Sequence, residues 1–146
     1  MKLKQLSVFL ENKPGRLSLP CKALAEAGIN ILTLSLGDTQ QFGILRLIVR
    51  DWQNARKVLA DAGCAVRVTD VVAIEVADRP GGLQEVLQVV EAEKINIEYM
   101  YAFTYRTADK AVLVFRFEDP DAAIKILQSH RLSVISQVQL YERVEK

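Results

Sequence analysis

The sequence predicts an α+β protein built as two βαββαβ halves, each an antiparallel four-stranded sheet with two helices on one face. Three observations carry this. Pro14–Gly15 recurs as Pro80–Gly81, an offset of 80 − 14 = 66 residues, and "GINI" at 28–31 recurs as "KINI" at 94–97 with the same offset. Further on, Asp51 matches Asp119 and Leu59 matches Leu127, now 68 apart. Within each copy the apolar period switches from two to about 3.6 and back, as strands alternate with helices. The first copy is expected to span 1–70 and the second 71–146, a ferredoxin-like, split-βαβ arrangement.

The elements follow in order. Leu6, Val8 and Leu10 alternate with Ser7 and Phe9, which predicts a first strand. From Gly15 the pattern becomes helical, with Leu17, Cys21, Leu24, Ala25 and Gly28 on one face. Gly28 suits the end of that helix, because glycine enters the left-handed region without steric cost. Pro20 inside this helix is expected to bend it. Strands are predicted at 29–36 and 43–50. Asp51 caps the next helix, which turns Ala55, Val58, Leu59 and Ala62 inward, and Val66 and Val68 form the closing strand. The second copy marks its last helix with Asp119 as cap and Pro120 at the first helical position. The join "VRVTDVVAIEV" holds neither Pro nor Gly, so rigid coupling is expected. That suits halves this small, whose separate cores would be marginal.

Composition narrows the function. The 146 residues carry a net formal charge of +1, which gives no electrostatic reason to expect nucleic acid as partner. No apolar run is long enough to span a bilayer, and "MKLKQLSVFLENK" does not read as a signal peptide, so a cytoplasmic location without membrane contact is expected. Cys21 and Cys64 have no metal-ligand spacing and read as small apolar residues of a reducing compartment. No phosphate loop, metal motif or nucleophile elbow is present, and His130 reads as a turn histidine. No cofactor is expected. The default is a protein without catalysis.

The repeated elbows, "ENKPGRL" and "ADRPGGL", hold the chemistry. Helix-start N–H groups lack intrahelical partners and sit at the positive end of the dipole, so a carboxylate is stabilised there. Gly15 and Gly81 would let a ligand approach the backbone, while Pro14 and Pro80 fix the turn. The alternative is structural: Asn12 and Asp78 serve only to shape Asx-turns.

Asn/Asp-x-Pro-Gly-x-Leu at a strand-to-helix elbow, followed by a helix and Gly-Ile-Asn-Ile, resembles the ACT domain, a family of small-molecule-binding regulatory modules. The resemblance runs over nearly the whole chain, twice, and implies a free-standing tandem protein that senses an amino acid. It implies ligands held where one domain's elbow faces the second strand of a neighbouring domain. The implied contacts are Asn12, Pro14, Gly15, Arg16, Leu17, Asn30 and Ile31 in the first copy. Asp78, Pro80, Gly81, Gly82, Leu83, Asn96 and Ile97 take those places in the second. Leu10 and Ala77 depart from the family, some of whose amino-acid-binding members carry a histidine there. Arg16 becomes Gly82 and Asn12 becomes Asp78, so the Asn12 elbow is expected to be the better carboxylate site.

In "INIEYMYAFTYRT", Tyr99, Tyr101, Phe103 and Tyr105 share one side of a strand, with Val112 and Val114 beside them. Met100 and Ala102, like Leu34 and Leu36, should face the helices. The aromatic stripe then lies on a helix-free face, and a homodimer contact is expected there. The aromatics of an RNA-recognition sheet lie on other strands within a basic signature, so nucleic acid is not expected. Rival readings are an interaction module using this face without ligand, and a small open-face enzyme using His130 or Glu75, which otherwise pairs across strands with Arg116. In the sensor reading the partner is a regulated metabolic enzyme or other protein.

Overall fold

The computed structural model describes residues 1–38 and 41–144, the side chains of Asp38 and residues 105–107 excepted. The chain forms two compact units: Lys4–Thr69, and Asp70–Lys146 together with Met1–Leu3.

In the first unit β1 (Leu3–Glu11), α1 (Ser18–Glu26), β2 (Ile31–Asp38), β3 (Phe42–Val49) and α2 (Trp52–Asp61) follow in order. β3 lies between β1 and β2 and is antiparallel to both, with Leu6 opposite Leu47, Leu10 opposite Gly43, and Leu36 opposite Leu45. Period-two alternation sends Leu6, Val8, Leu10, Leu45 and Leu47 to one face, where they pack with Leu24 of α1 and with Ala55 and Leu59 of α2. Each such leucine, fully buried, stabilises by roughly 1.5–3 kcal/mol. Asp51 caps α2 as its sequence predicts, its carboxylate accepting from the Asn54 N–H at 3.2 Å.

α1 departs from expectation. It starts at Ser18 rather than at Gly15, and its buried residues are Pro20 and Leu24, while Leu17 is exposed. Because the helix starts late, Pro20 stands in its first turn, where an N–H has no intrahelical acceptor to lose. The expected bend at Pro20 therefore has no cause.

β4 (Ala65–Ala77) runs without interruption through residue 70. Its first half packs Val66 and Val68 on the first unit's core. In the second unit β4 is followed by α3 (Gly82–Ala92), β5 (Ile97–Thr107), β6 (Lys110–Phe117), α4 (Pro120–Ser129), β7 (Ser133–Ile135) and α5 (Gln137–Val144). The sheet order is β5-β6-β4-β7, antiparallel throughout. That is the ferredoxin-like order for this copy. Val72, Ile74, Val76, Phe115 and Phe117 pack on Val86 and Val90 of α3 and on Ala123, Ile124 and Leu127 of α4. The rings of Phe115 and Phe117 stack with centroids 5.6 Å apart. Asp119 accepts from the Ala122 N–H at 3.1 Å, and Pro120 opens α4.

The second copy's other sheet face is not helix-free. Alternation along β4 puts Glu75 opposite the α3/α4 side, and Arg143 of α5 donates to its carboxylate. Leu140 and Tyr141 of α5 are buried as well. Helix α5 starts in a reciprocal cap: the Gln139 N–H donates to Ser136 Oγ at 3.2 Å, and the Ser136 N–H donates to Gln139 Oε1 at 3.0 Å.

Candidate functional site

Each elbow follows the strand end of its unit. In the first, the Asn12 N–H donates to the Gln41 carbonyl at 2.9 Å, which ties the turn to the β2–β3 hairpin. The Arg16 N–H donates to the Lys13 carbonyl at 3.3 Å, and Gly15 takes φ +84°. A Cβ on Gly15 would meet nothing within 4 Å, so the glycine is required by backbone conformation, not by crowding. The second elbow repeats the pattern: the Asp78 N–H donates to the Asp109 carbonyl at 2.6 Å and Gly81 takes φ +90°.

The two elbows differ one residue later. A Cβ on Gly82 would lie 2.0 Å from the Ala77 carbonyl oxygen, so α3 is drawn tight against the end of β4. Arg79 of this turn pairs with Glu85 of α3 at 2.5 Å, both side chains more than half exposed. In the first unit Arg16 occupies the matching position, and α1 starts two residues later, at Ser18. A cleft of about 210 Å³ opens there, lined by Leu10, Glu11, Asn12, Lys13, Leu17, Leu36 and Gly43. At the cleft Lys13 pairs with Glu11 at 3.1 Å. The bond from Lys13, then its charge and that of Arg16, hold the Glu11 carboxyl below the usual glutamate range.

Of the expected ligand contacts, Asn12 and Leu17 line this cleft, with Pro14, Gly15 and Arg16 in the same exposed turn. Asn30 and Ile31 do not join them. Ile31 pairs with Val49 at one end of β2, whereas the elbow sits beside Phe42 at the other. Eight strand residues separate the two ends by roughly 25 Å. The second unit has the same geometry, with Asp78 held at the Asp109 end and Ile97 opposite Phe117 at the far end. Pro80, Gly81 and Leu83 are exposed at that elbow, Gly82 is buried, and Asn96 is exposed beside half-buried Ile97. Within one unit, therefore, elbow and strand asparagines stay apart.

Leu34 and Leu36 lie on the helix-side face by register, opposite Leu47 and Leu45, yet both are about half exposed because β2 is the outer strand of its trio. Sequence alternation found their face but not the cleft, whose far wall comes from the hairpin.

The aromatic stripe is less exposed than its sequence predicts. Phe103, Val112 and Val114 are buried, Tyr99 and Tyr101 are half-buried, and the Tyr105 side chain lies outside the described residues. Glu75 pairs with Arg143 and with Lys110 at 3.3 Å, not with Arg116. Arg116 instead binds Glu98 at 3.2 Å and the Asp70 carbonyl at 2.8 Å. His130 caps α4 and meets Glu93 at 3.2 Å, a carboxylate that sequence distance concealed. Cys21 and Cys64 are free thiols, both half-buried, and burial pushes the Cys64 thiol up. Among the described residues no His, Cys, Asp and Glu group of three or more could hold a metal ion. No helix among them is long and apolar enough to cross a membrane.

A doubled ferredoxin-like fold with Pro-Gly elbows at its strand-to-helix turns defines a domain pair. The chain belongs to the ACT domain pair family, which matches residues 1–144. It is similar to protein BT0572 from Bacteroides thetaiotaomicron, with 40% identity, a TM-score of 0.89, and coverage of 97% of this chain and 96% of that one. It is also similar to the regulatory subunit of aspartate kinase from Thermus thermophilus in its ligand-free form. There identity is 19%, the TM-score 0.60, and coverage 86% and 91%. E. coli aspartokinase III in complex with lysine and aspartate shares the fold at 18% identity and a TM-score of 0.52, over 88% of this chain and 31% of that one. No curated protein matches the chain.

Proposed function

We propose that the protein is a non-enzymatic regulatory sensor that binds a small metabolite, an amino acid, at the Asn12 elbow. The cleft at that elbow carries the reading. It joins an Asn side chain, which can both donate and accept, to a carboxylate and an ammonium group 3.1 Å apart. A zwitterion presents the complementary pair of charges. Membership of the ACT domain pair family supports a regulatory role.

The sensor acts in the cytoplasm as a homodimer on a metabolic enzyme or other partner protein. Asn30 and Asn96, remote from the elbow of their own unit, reach a ligand only from a neighbouring domain. Binding alters the partner only insofar as the ligand prefers one arrangement of the protein over another.

The test is a thermal-shift screen against the twenty amino acids. At about 100 times Kd a ligand adds roughly 2.7 kcal/mol of stability, a shift of several degrees. Asn12→Ala should then weaken the response. Silence from all twenty would remove the amino-acid reading.

A further inference from the structure

We propose that the cleft of the first unit takes an α-amino acid with an aliphatic side chain, one molecule per chain, and that the second elbow is a structural turn without a ligand. This rests on the amino-acid reading above and narrows it to a class of ligand and a place.

The walls set the class. Leu10 and Leu36 come from strands and Leu17 from the elbow, and Gly43 forms the floor. Leu17 is 41% and Leu36 50% exposed, so large aliphatic surface stands in water around a concavity. An aliphatic side chain covers that surface and releases its water. A charged side chain pointed at the three leucines would lose hydration against their apolar surface. The charges stand together instead: Glu11 and Lys13 in a pair, with Arg16 near enough to act on Glu11. They suit the ammonium and carboxylate of a zwitterion, whose apolar end then points at the leucines. A volume of about 210 Å³ falls below the ~300–1,000 Å³ of drug-sized sites, as a single amino acid requires.

The second copy keeps an exposed leucine at its elbow, Leu83, but changes the other walls. Register pairs Leu10 with Gly43 and Val76 with Ala111, so a methyl group fills the floor position. Leu36 lies opposite Leu45, and Ala102 opposite Leu113, so the leucine wall is replaced by alanine. Gly82 draws the helix onto Ala77, and Arg79 of the turn is tied to Glu85 of the helix.

Calorimetric titration of the full chain with L-leucine, L-valine, L-glutamate, L-lysine and 4-methylpentanoate tests the proposal. Leucine or valine should bind at one per chain. Glutamate, lysine and the acid lacking an amino group should bind at least about tenfold more weakly. A Cβ at position 43 would meet Leu36 at an ordinary 3.5 Å, so Gly43→Ala fits the fold while filling the floor. It should weaken leucine about tenfold or more with little change in Tm, as should Leu36→Ser at an exposed position if Gly43→Ala fails to fold. Arg79→Ala should change neither affinity nor stoichiometry. Preference for a charged side chain, two ligands per chain, or unchanged affinity in both cleft variants would overturn this inference while leaving the amino-acid reading intact. Absence of any amino-acid binding would remove both.

Discussion

Gly82 and Ala77 approach so closely that one added methyl group would stand 2.0 Å from a carbonyl oxygen. The obstacle is backbone, which cannot swing aside as a long side chain would. Gly82→Ala should therefore destabilise the protein by about 3 kcal/mol, within the range for overpacked positions. Its counterpart Arg16→Ala should stay within about 0.5 kcal/mol, because Arg16 is an exposed turn residue. Urea unfolding of both variants checks the contrast, and equal effects would refute it.

The duplication also left backbone strain on one side. Gly28 has φ +70° and Gly63 φ +84°, while their counterparts Lys94 and Arg131 have φ +56° and +60°. A side chain in the left-handed region costs about 1–2 kcal/mol, partly offset by the freer unfolded chain that glycine brings. Lys94→Gly and Arg131→Gly should each stabilise by about 0.5–1 kcal/mol, read as a Tm rise of roughly 2–4 °C. A fall in Tm for both would show that their side chains hold more than their backbones cost.

Lys13 should govern the titration of Glu11. Its bond and charge lower the Glu11 pKa, so the pair contributes above the ordinary glutamate value and is lost as pH falls through the lowered one. Lys13→Ala should move the Glu11 pKa up toward the ordinary glutamate range, with Arg16 retaining part of the depression. Carbon-detected NMR titration of the Glu11 carboxyl measures this. An unmoved midpoint would mean that the pair does not form in solution.

Arg143→Met removes the cation that α5 brings to Glu75. The Glu75 side chain is only 9% exposed and keeps Lys110 at 3.3 Å. The loss should be about 1–2 kcal/mol, less than for a buried charge left with no partner. Amide exchange in α5 should quicken in the same variant. Unchanged exchange would deny the ion pair a role in holding the helix.

Local chemistry made most of the framework legible. Asp51 and Asp119 announced their helices because a cap is a contact three residues long. The positive φ of Gly15 and Gly81 agrees with the repeated Pro-Gly elbow. Helix α5 was hidden by the repeat itself, since the first copy offers no counterpart to it. Its signal is nonetheless present as Ser136-x-x-Gln139, a capping box. Contacts between distant residues were out of reach, such as Glu75 with Arg143, as was the convergence of Leu10, Leu36 and Gly43 on one cleft. No period or cap encodes which side chains converge across 26 to 68 positions.

The unbroken course of β4 bears on how the two copies can be taken apart. A cut at residue 70 would fall inside a thirteen-residue strand. It would also carry Met1–Leu3 away with the wrong half: Lys2 pairs with Asp121 at 3.1 Å, and Gln128 donates to Met1 Sδ at 2.9 Å. Truncated halves would each expose raw strand and lose a native anchor. Ownership of a signal by either copy is better tested by paired point substitutions in the intact chain, because the inherited seam and the physical one do not coincide.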